Sequence, residues 1–217
     1  MIKSKNRIGF VTGLIAEARW LAGSGFMVRV GGGTPAGARQ AAQGLVEAGA
    51  QALVSFGLAG GLEPGLKPGS IVVPKAVLIG PESYFCDSLL STFLGGMTHE
   101  TILAGEKIAA TVQDKRLIFQ AGRPVAVDLE SGAVAEVSTQ NNLPFAVLRA
   151  VADPAERDLP PAALAALRDD GSLDLLKIAR SIAGRPWQIP GLIMVGWDTK
   201  RARQALRERL KSLPASL

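Results

Sequence analysis

Two short apolar runs, Ile8 to Thr12 and Met27 to Val30, end at Gly13 and at Gly31-Gly32-Gly33, and both read as buried strands closed by turns. Thr34 is suited to cap a helix whose first residue is Pro35, so the spacing predicts a helix over Ala36 to Ala48 that stops at Gly49. A third strand, Ala52 to Phe56, closes at Gly57-Leu58-Ala59-Gly60-Gly61. Strand, helix and strand with short links imply a right-handed parallel crossover.

Further along, Ser70 to Val73 and Ala76 to Ile79 read as strand pieces around Pro74, and Asp87 to Leu94 as a short amphipathic helix in an otherwise undefined stretch from 80 to 98. Thr101 to Ala104 predicts a strand, Asp114 to Gln120 a helix stopped by Gly122, Pro124 to Val127 a strand, and Glu130 to Ser138 a helix. Phe145 to Val151 is a strongly apolar last strand. Beyond Asp153 and the Leu159-Pro160-Pro161 break the pattern turns helical, over Leu173 to Ala183 and again from about Gly191 to Leu210. The expected organisation is one α/β domain over 1–217, with 156–217 as a helical covering.

Composition narrows the class. Hydrophobic residues are 47% and charged residues 20%, enough to bury a core, while aromatic residues are only 5%. With one Cys (Cys86) and one His (His99), neither a disulfide framework nor a Cys/His zinc site is available, and no metal or cofactor is expected. The N-terminus meets Gly9, Gly13 and Glu17 before any long apolar run, so a cytoplasmic chain without a signal peptide is expected. The net charge is +5, and residues 199–217 carry six cations against Glu208, so the excess sits in that tail. Without a nucleic-acid-binding module, a basic end suits a membrane surface, a partner or solvent, and no nucleic-acid partner is expected.

Candidate chemistry is sought just past the strands, where parallel sheets gather ligands. Glu17, Asp128, Glu130 and Asp153 fall there, a set able to do acid/base work, although each alone also suits helix capping. A dinucleotide site is disfavoured. Gly31, Gly33 and Gly37 miss the required spacing, and the next strand ends in Ser55-Phe56-Gly57 without an acid for a ribose hydroxyl.

Four segments carry a family resemblance, over roughly residues 7–155. They are Ile8-Gly9-Phe10-Val11-Thr12-Gly13-Leu14-Ile15-Ala16-Glu17; Ser55 to Leu62 with Leu66 to Pro74; Val127-Asp128-Leu129-Glu130-Ser131; and Val147-Leu148-Arg149-Ala150-Val151-Ala152-Asp153. In this order they resemble the nucleoside phosphorylase and purine nucleosidase superfamily. The resemblance implies a three-layer sandwich with a central mixed twisted sheet, and an enzyme that cleaves a purine N-glycosidic bond. Asp153 would protonate the base at N7, Glu17 would activate water, and Glu130 would hold the ribose hydroxyls, with Asp128 a lesser candidate. Leu58, Ala59, Gly60, Leu129 and Ile108 would border the substrate.

Two departures from the family shape the reading. Leu58 and Ala59 stand where phosphorylases bring phosphate ligands, and no arginine is expected beside Glu17 to offset a phosphate there, so water is the expected nucleophile, with phosphorolysis the alternative. The counterpart of a base-stacking aromatic is Glu106-Lys107-Ile108-Ala109, so stacking is expected to be absent. Gly13 to Ala18 and Gly57 to Leu62 most resemble the hopanoid-associated phosphorylase branch, which implies adenosylhopane as substrate and adenine as product. The alternatives are a methylthioadenosine/adenosylhomocysteine-type nucleosidase or a noncatalytic nucleoside- or lipid-binding protein. An apolar channel could come from Leu89, Leu90, Phe93 and Leu94 with Trp187, Ile189, Leu192, Ile193 and Trp197. The expected partners are an adenosine-type or lipid-linked nucleoside, a membrane surface met by the basic C-terminus, and a second copy in a homodimer.

Overall fold

The computed structural model describes residues 5–164 and 175–214. A nine-stranded mixed sheet forms the centre: β1 (Ile8–Thr12), β2 (Met27–Val30), β3 (Ala52–Gly61), β4 (Ile71–Val72), β5 (Pro74–Ile79), β6 (Glu82–Phe85), β7 (His99–Ala104), β8 (Ala126–Asp128) and β9 (Phe145–Asp153). Its main path runs β2-β1-β3-β8-β7-β5-β6, while β9 pairs with β3 and β4. The helices are α1 (Ile15–Ala18), α2 (Pro35–Glu47), α3 (Ser88–Phe93), α4 (Val112–Gly122), α5 (Ser131–Gln140), α6 (Pro161–Leu164), α7 (Leu175–Gly184) and α8 (Ile189–Lys211).

Alternation along the strands builds the layers. Val11, Leu53 and Val147 point to one face, where they pack with Ala38, Ala42 and Leu45 of α2 and Val134 of α5. Their neighbours Phe10, Val54 and Leu148 point to the other face, against Leu90 and Phe93 of α3 and Ala202 and Leu206 of α8. This is a mixed sheet flanked by helices on both faces. Thr34 caps α2 by accepting a hydrogen bond from the Gly37 N–H, and Asp87 caps α3 in the same way from Leu90.

Two sequence expectations change, and an undefined stretch takes form. The third strand does not close at Phe56 but continues to Gly61, because Gly57 lies opposite Arg149 of β9 and Gly60 opposite Val127 of β8. Within the undefined stretch 80–98, Glu82–Phe85 forms an edge strand antiparallel to β5. Leu90, Phe93 and Leu94 are buried in the core, so they line no substrate channel. Of the helix expected over 173–183, the positions before Leu175 lie outside the described residues.

β3 holds the site together. It is parallel to β1 over its first half and to β9 along nearly its whole length, and it meets β8 at its end, so four distant chain segments converge there. The register of β9 slips between Ala59 and Gly60, leaving Ala152 unpaired opposite β3. Such a bulge re-aims the next side chain, which is Asp153.

Candidate functional site

A cavity of about 240 Å³ opens at these strand ends. Glu17, Leu58, Ala59, Gly60, Ile108, Asp128, Leu129, Glu130 and Asp153, the nine residues singled out from sequence, all border it. Gly13, Gly33, Lys107, Leu159 and Arg149 also border it, and no aromatic side chain does among the described residues.

Glu17 sits in α1 and is almost wholly buried. Its Oε2 accepts the Leu14 N–H at 2.9 Å and its Oε1 the Leu58 N–H at 3.0 Å, so this one carboxylate ties the loop after β1 to the glycine stretch of β3. Burial raises its pKa above the ordinary 4.5, against the pull of Arg149 and those backbone donors. That suits a base, since a carboxylate that holds protons more tightly takes one from water more readily.

Asp128 and Glu130 stand at the entrance of α5 and divide the labour there. Asp128 Oδ1 accepts the N–H groups of Glu130 (3.0 Å) and Ser131 (2.8 Å), satisfying helix-start donors that would otherwise be orphaned. Its Oδ2 is engaged by the Ser131 hydroxyl. Glu130 makes no cap and turns its carboxylate toward the cavity, where burial pushes its pKa up to about 7. Gly13 permits this approach, because a Cβ there would collide with Glu130 Oε1.

Arg149 is the residue that sequence reading missed as part of the site. It is fully buried, with Nη2 2.8 Å from Glu130 Oε2 and 2.6 Å from Ser55 Oγ, and Nε 2.9 Å from Asp128 Oδ2 without hydrogen-bond alignment. The expectation that no arginine stands beside Glu17 is therefore corrected. The guanidinium is nonetheless committed: Glu17, Asp128 and Glu130 surround it, three carboxylates against one cation. The available signal was its place on an apolar strand, where a charge is retained only when paired.

Gly57 makes room for this cluster. A Cβ on it would lie 2.7 Å from both Arg149 Nη1 and Glu17 Oε1. Gly57→Ala should therefore cost about 1–3 kcal/mol of stability and displace Glu17. Thermal melts beside activity assays check this, with Gly184→Ala, whose Cβ meets nothing within 4 Å, as the unaffected control.

Asp153, at the far end of β9, is partly buried, and burial raises its pKa despite an ion pair of 2.6 Å to Lys115 Nζ of α4. The loop after it is pinned on several sides. Arg157 pairs with Asp198 of α8 at 2.7 Å, Glu156 accepts the Gly65 N–H, and Asp158 accepts the Val112 N–H. Taken together, four acids border one small space, Glu17, Asp128 and Glu130 gathered around Arg149 and Asp153 paired to Lys115.

Residues 3–180 match the Phosphorylase superfamily, and the chain belongs to it. Among curated proteins, the 5′-methylthioadenosine/S-adenosylhomocysteine nucleosidase of Buchnera aphidicola is 25% identical over 127 residues, 46% of this chain. The chain spans about half the length of that relative, 50%. Among solved structures, S-adenosylhomocysteine nucleosidase from Streptococcus pyogenes in complex with 5-methylthiotubericidin matches with a TM-score of 0.66 and 18% identity, over 95% of this chain and 97% of that one. Futalosine hydrolase of Helicobacter pylori matches with a TM-score of 0.69 and 15% identity, over 95% and 96%. These structural likenesses speak to the fold.

Proposed function

We propose that this protein is a purine nucleosidase that hydrolyses the N-glycosidic bond of an adenosine-type nucleoside. The observation that carries the reading is the convergence of Glu17, Glu130 and Asp153 on one cavity. In the reaction, Asp153 protonates the base as the bond to the sugar breaks. Glu130 accepts hydrogen bonds from the ribose hydroxyls, favouring positive character on the sugar. Glu17 takes a proton from the water that attacks the anomeric carbon. The matched relatives, described as nucleosidases and a hydrolase, support water over phosphate. So does electrostatics, because a phosphate beside Glu17 would meet three carboxylates and an arginine already paired to two of them, Asp128 and Glu130.

For the substrate, the reading extends to a large apolar 5′ substituent, with adenosylhopane the candidate that the resemblance implies. Leu14, Leu58, Ile108, Leu129 and Leu159 give the cavity a predominantly apolar wall. Beyond Leu159, Pro160 packs on Gly191 of α8, whose outward side carries Ile189, Ile193 and Trp197, all exposed. Further along the same helix, Lys200, Arg201, Arg207 and Lys211 are exposed and Arg203 is half-buried, with Arg203 and Arg207 lying over the Trp20 ring at 5.8 and 5.3 Å. An apolar end beside the site and a cationic end suit an anionic membrane surface, each cation near it contributing about 1 kcal/mol. No helix among the described residues is long and apolar enough to cross a membrane.

The test compares catalytic efficiency on adenosylhopane and on methylthioadenosine. The lipid nucleoside should be cleaved with the higher kcat/KM, and equal or better cleavage of the thioether would remove the lipid assignment while leaving a nucleosidase. Sedimentation with anionic vesicles should weaken with salt and on neutralising Lys200, Arg201 and Arg207 together.

A further inference from the structure

Lys115 is a buried lysine in a site whose proposed chemistry has no use for it. Its side chain is 1% exposed, and its ammonium makes three contacts, the number of its N–H bonds: Asp153 Oδ2 at 2.6 Å, the Pro154 carbonyl at 2.9 Å and the Arg157 carbonyl at 2.6 Å. Its position is fixed from outside the site. The first turn of α4 is locked by the reciprocal bonds of Thr111 and Asp114, and Lys115 follows directly. A sealed ammonium is costly, and one spent on a single carboxylate oxygen and two carbonyls of the adjoining loop sets the geometry of that carboxylate.

We infer that Lys115 is the positioning residue of Asp153: by occupying Oδ2, it leaves Oδ1 to carry the proton given to the departing base, and it receives the charge that Asp153 acquires. This rests on the nucleosidase reading. As the bond between C1′ and N9 breaks, its electron pair goes to the purine, and the Oδ1 proton passes to N7. Asp153 is left a carboxylate facing the ammonium. The water oxygen bonds to C1′ and its proton goes to Glu17, so charge and atoms balance. Lys115 thereby strengthens its interaction as the reaction proceeds, which is the condition for lowering a barrier rather than merely binding.

Three charged groups act on Asp153 besides the substrate: Lys115 from α4, Arg157 from the loop after β9, and Asp198 from α8. Arg157 and Asp198 are paired to each other at 2.7 Å, so much of their influence cancels and Lys115 governs. Removing it should let Asp153 keep its proton to higher pH, an opposite charge at this distance being worth about 1–3 pH units.

Lys115→Met should therefore lower kcat at least tenfold with KM changed far less, and move the descending limb of the kcat pH profile upward. Lys115→Arg, which keeps the charge, should hold that limb near its wild-type place. Where the Met variant does not fold, Lys115→Gln gives the same reading, since it is uncharged yet donates two hydrogen bonds. A folded uncharged variant with an unmoved limb, or an Arg variant displaced as far as the uncharged one, overturns the inference. Titration of the Asp153 carboxyl by ¹³C NMR, with and without Lys115, reads the same shift without turnover. It keeps this test apart from failure of the nucleosidase reading, which absence of base release from any adenosine-type nucleoside would signal.

Discussion

Glu17→Gln should reduce kcat/KM for base release by about 10²–10⁴-fold, the range associated with loss of a positioned acid or base. The amide keeps the size and one acceptor oxygen, so the link to Leu14 or Leu58 is only partly lost, but it takes no proton from water. The wild-type profile supplies the complementary observation. Burial raises Glu17 above 4.5 and Glu130 to about 7, so both hold protons at pH values where ordinary glutamates are ionised. Protonating the base stops the reaction, and activity should accordingly rise with pH through a limb lying above the usual carboxylate range. Asp153→Asn should reduce kcat/KM by a similar factor, since the amide has no carboxyl proton to give the departing base. Stopped assays of free adenine, run across pH for wild type and both variants, check these outcomes; near-normal rates in either variant would remove that residue from the mechanism.

The second large effect is on stability. Arg149→Met should destabilise the fold by about 3–5 kcal/mol, because it leaves Asp128, Glu130 and Glu17 buried without their cation. The replacement has comparable bulk, so a cavity is not the main cost. For a chain of this size that corresponds to a fall in Tm of about 6–20 °C. The deficit should shrink as pH is lowered, since protonation discharges the stranded carboxylates. Melting curves at several pH values decide it: a loss independent of pH would mean that Arg149 acts by packing and not by charge.

Much of the fold was legible because its signals are local. Thr34-Pro35 marked the start of α2, the apolar run from Phe145 marked β9, and the alternation of Phe10 with Val11 divides the two faces of the sheet. Glycine misled where it was serving packing instead of a turn. Gly57, Gly60 and Gly61 read as the end of a strand, yet they belong to β3, where the missing side chain of Gly57 admits Arg149 and Glu17 and that of Gly61 admits Val151. The edge strand Glu82–Phe85 carries mostly exposed residues, so no buried face marked it.

The candidate site divides in the same way. The carboxylates could be found because each lies at or just past the end of a strand and because the surrounding segments resemble a known family. Arg149 and Lys115 could not be assigned, since their roles depend on partners dozens of residues away: Arg149 meets Ser55 across 94 positions and Lys115 meets Pro154 across 39. The apolar segment 88–94 was misplaced for a related reason. Amphipathic spacing in α3 shows that a face is buried, not whether it is buried by the core or by a ligand.

The central claim, hydrolysis of an adenosine-type nucleoside at the Glu17, Glu130 and Asp153 cavity, is tested most directly by product analysis with and without phosphate. The wild-type protein is incubated with such a nucleoside in phosphate-free buffer and in phosphate, and both base and sugar products are resolved by chromatography. The account predicts adenine and the free sugar at the same rate in both buffers, with no sugar 1-phosphate. Adenine release that requires phosphate and yields the 1-phosphate, or binding without any release, would contradict it.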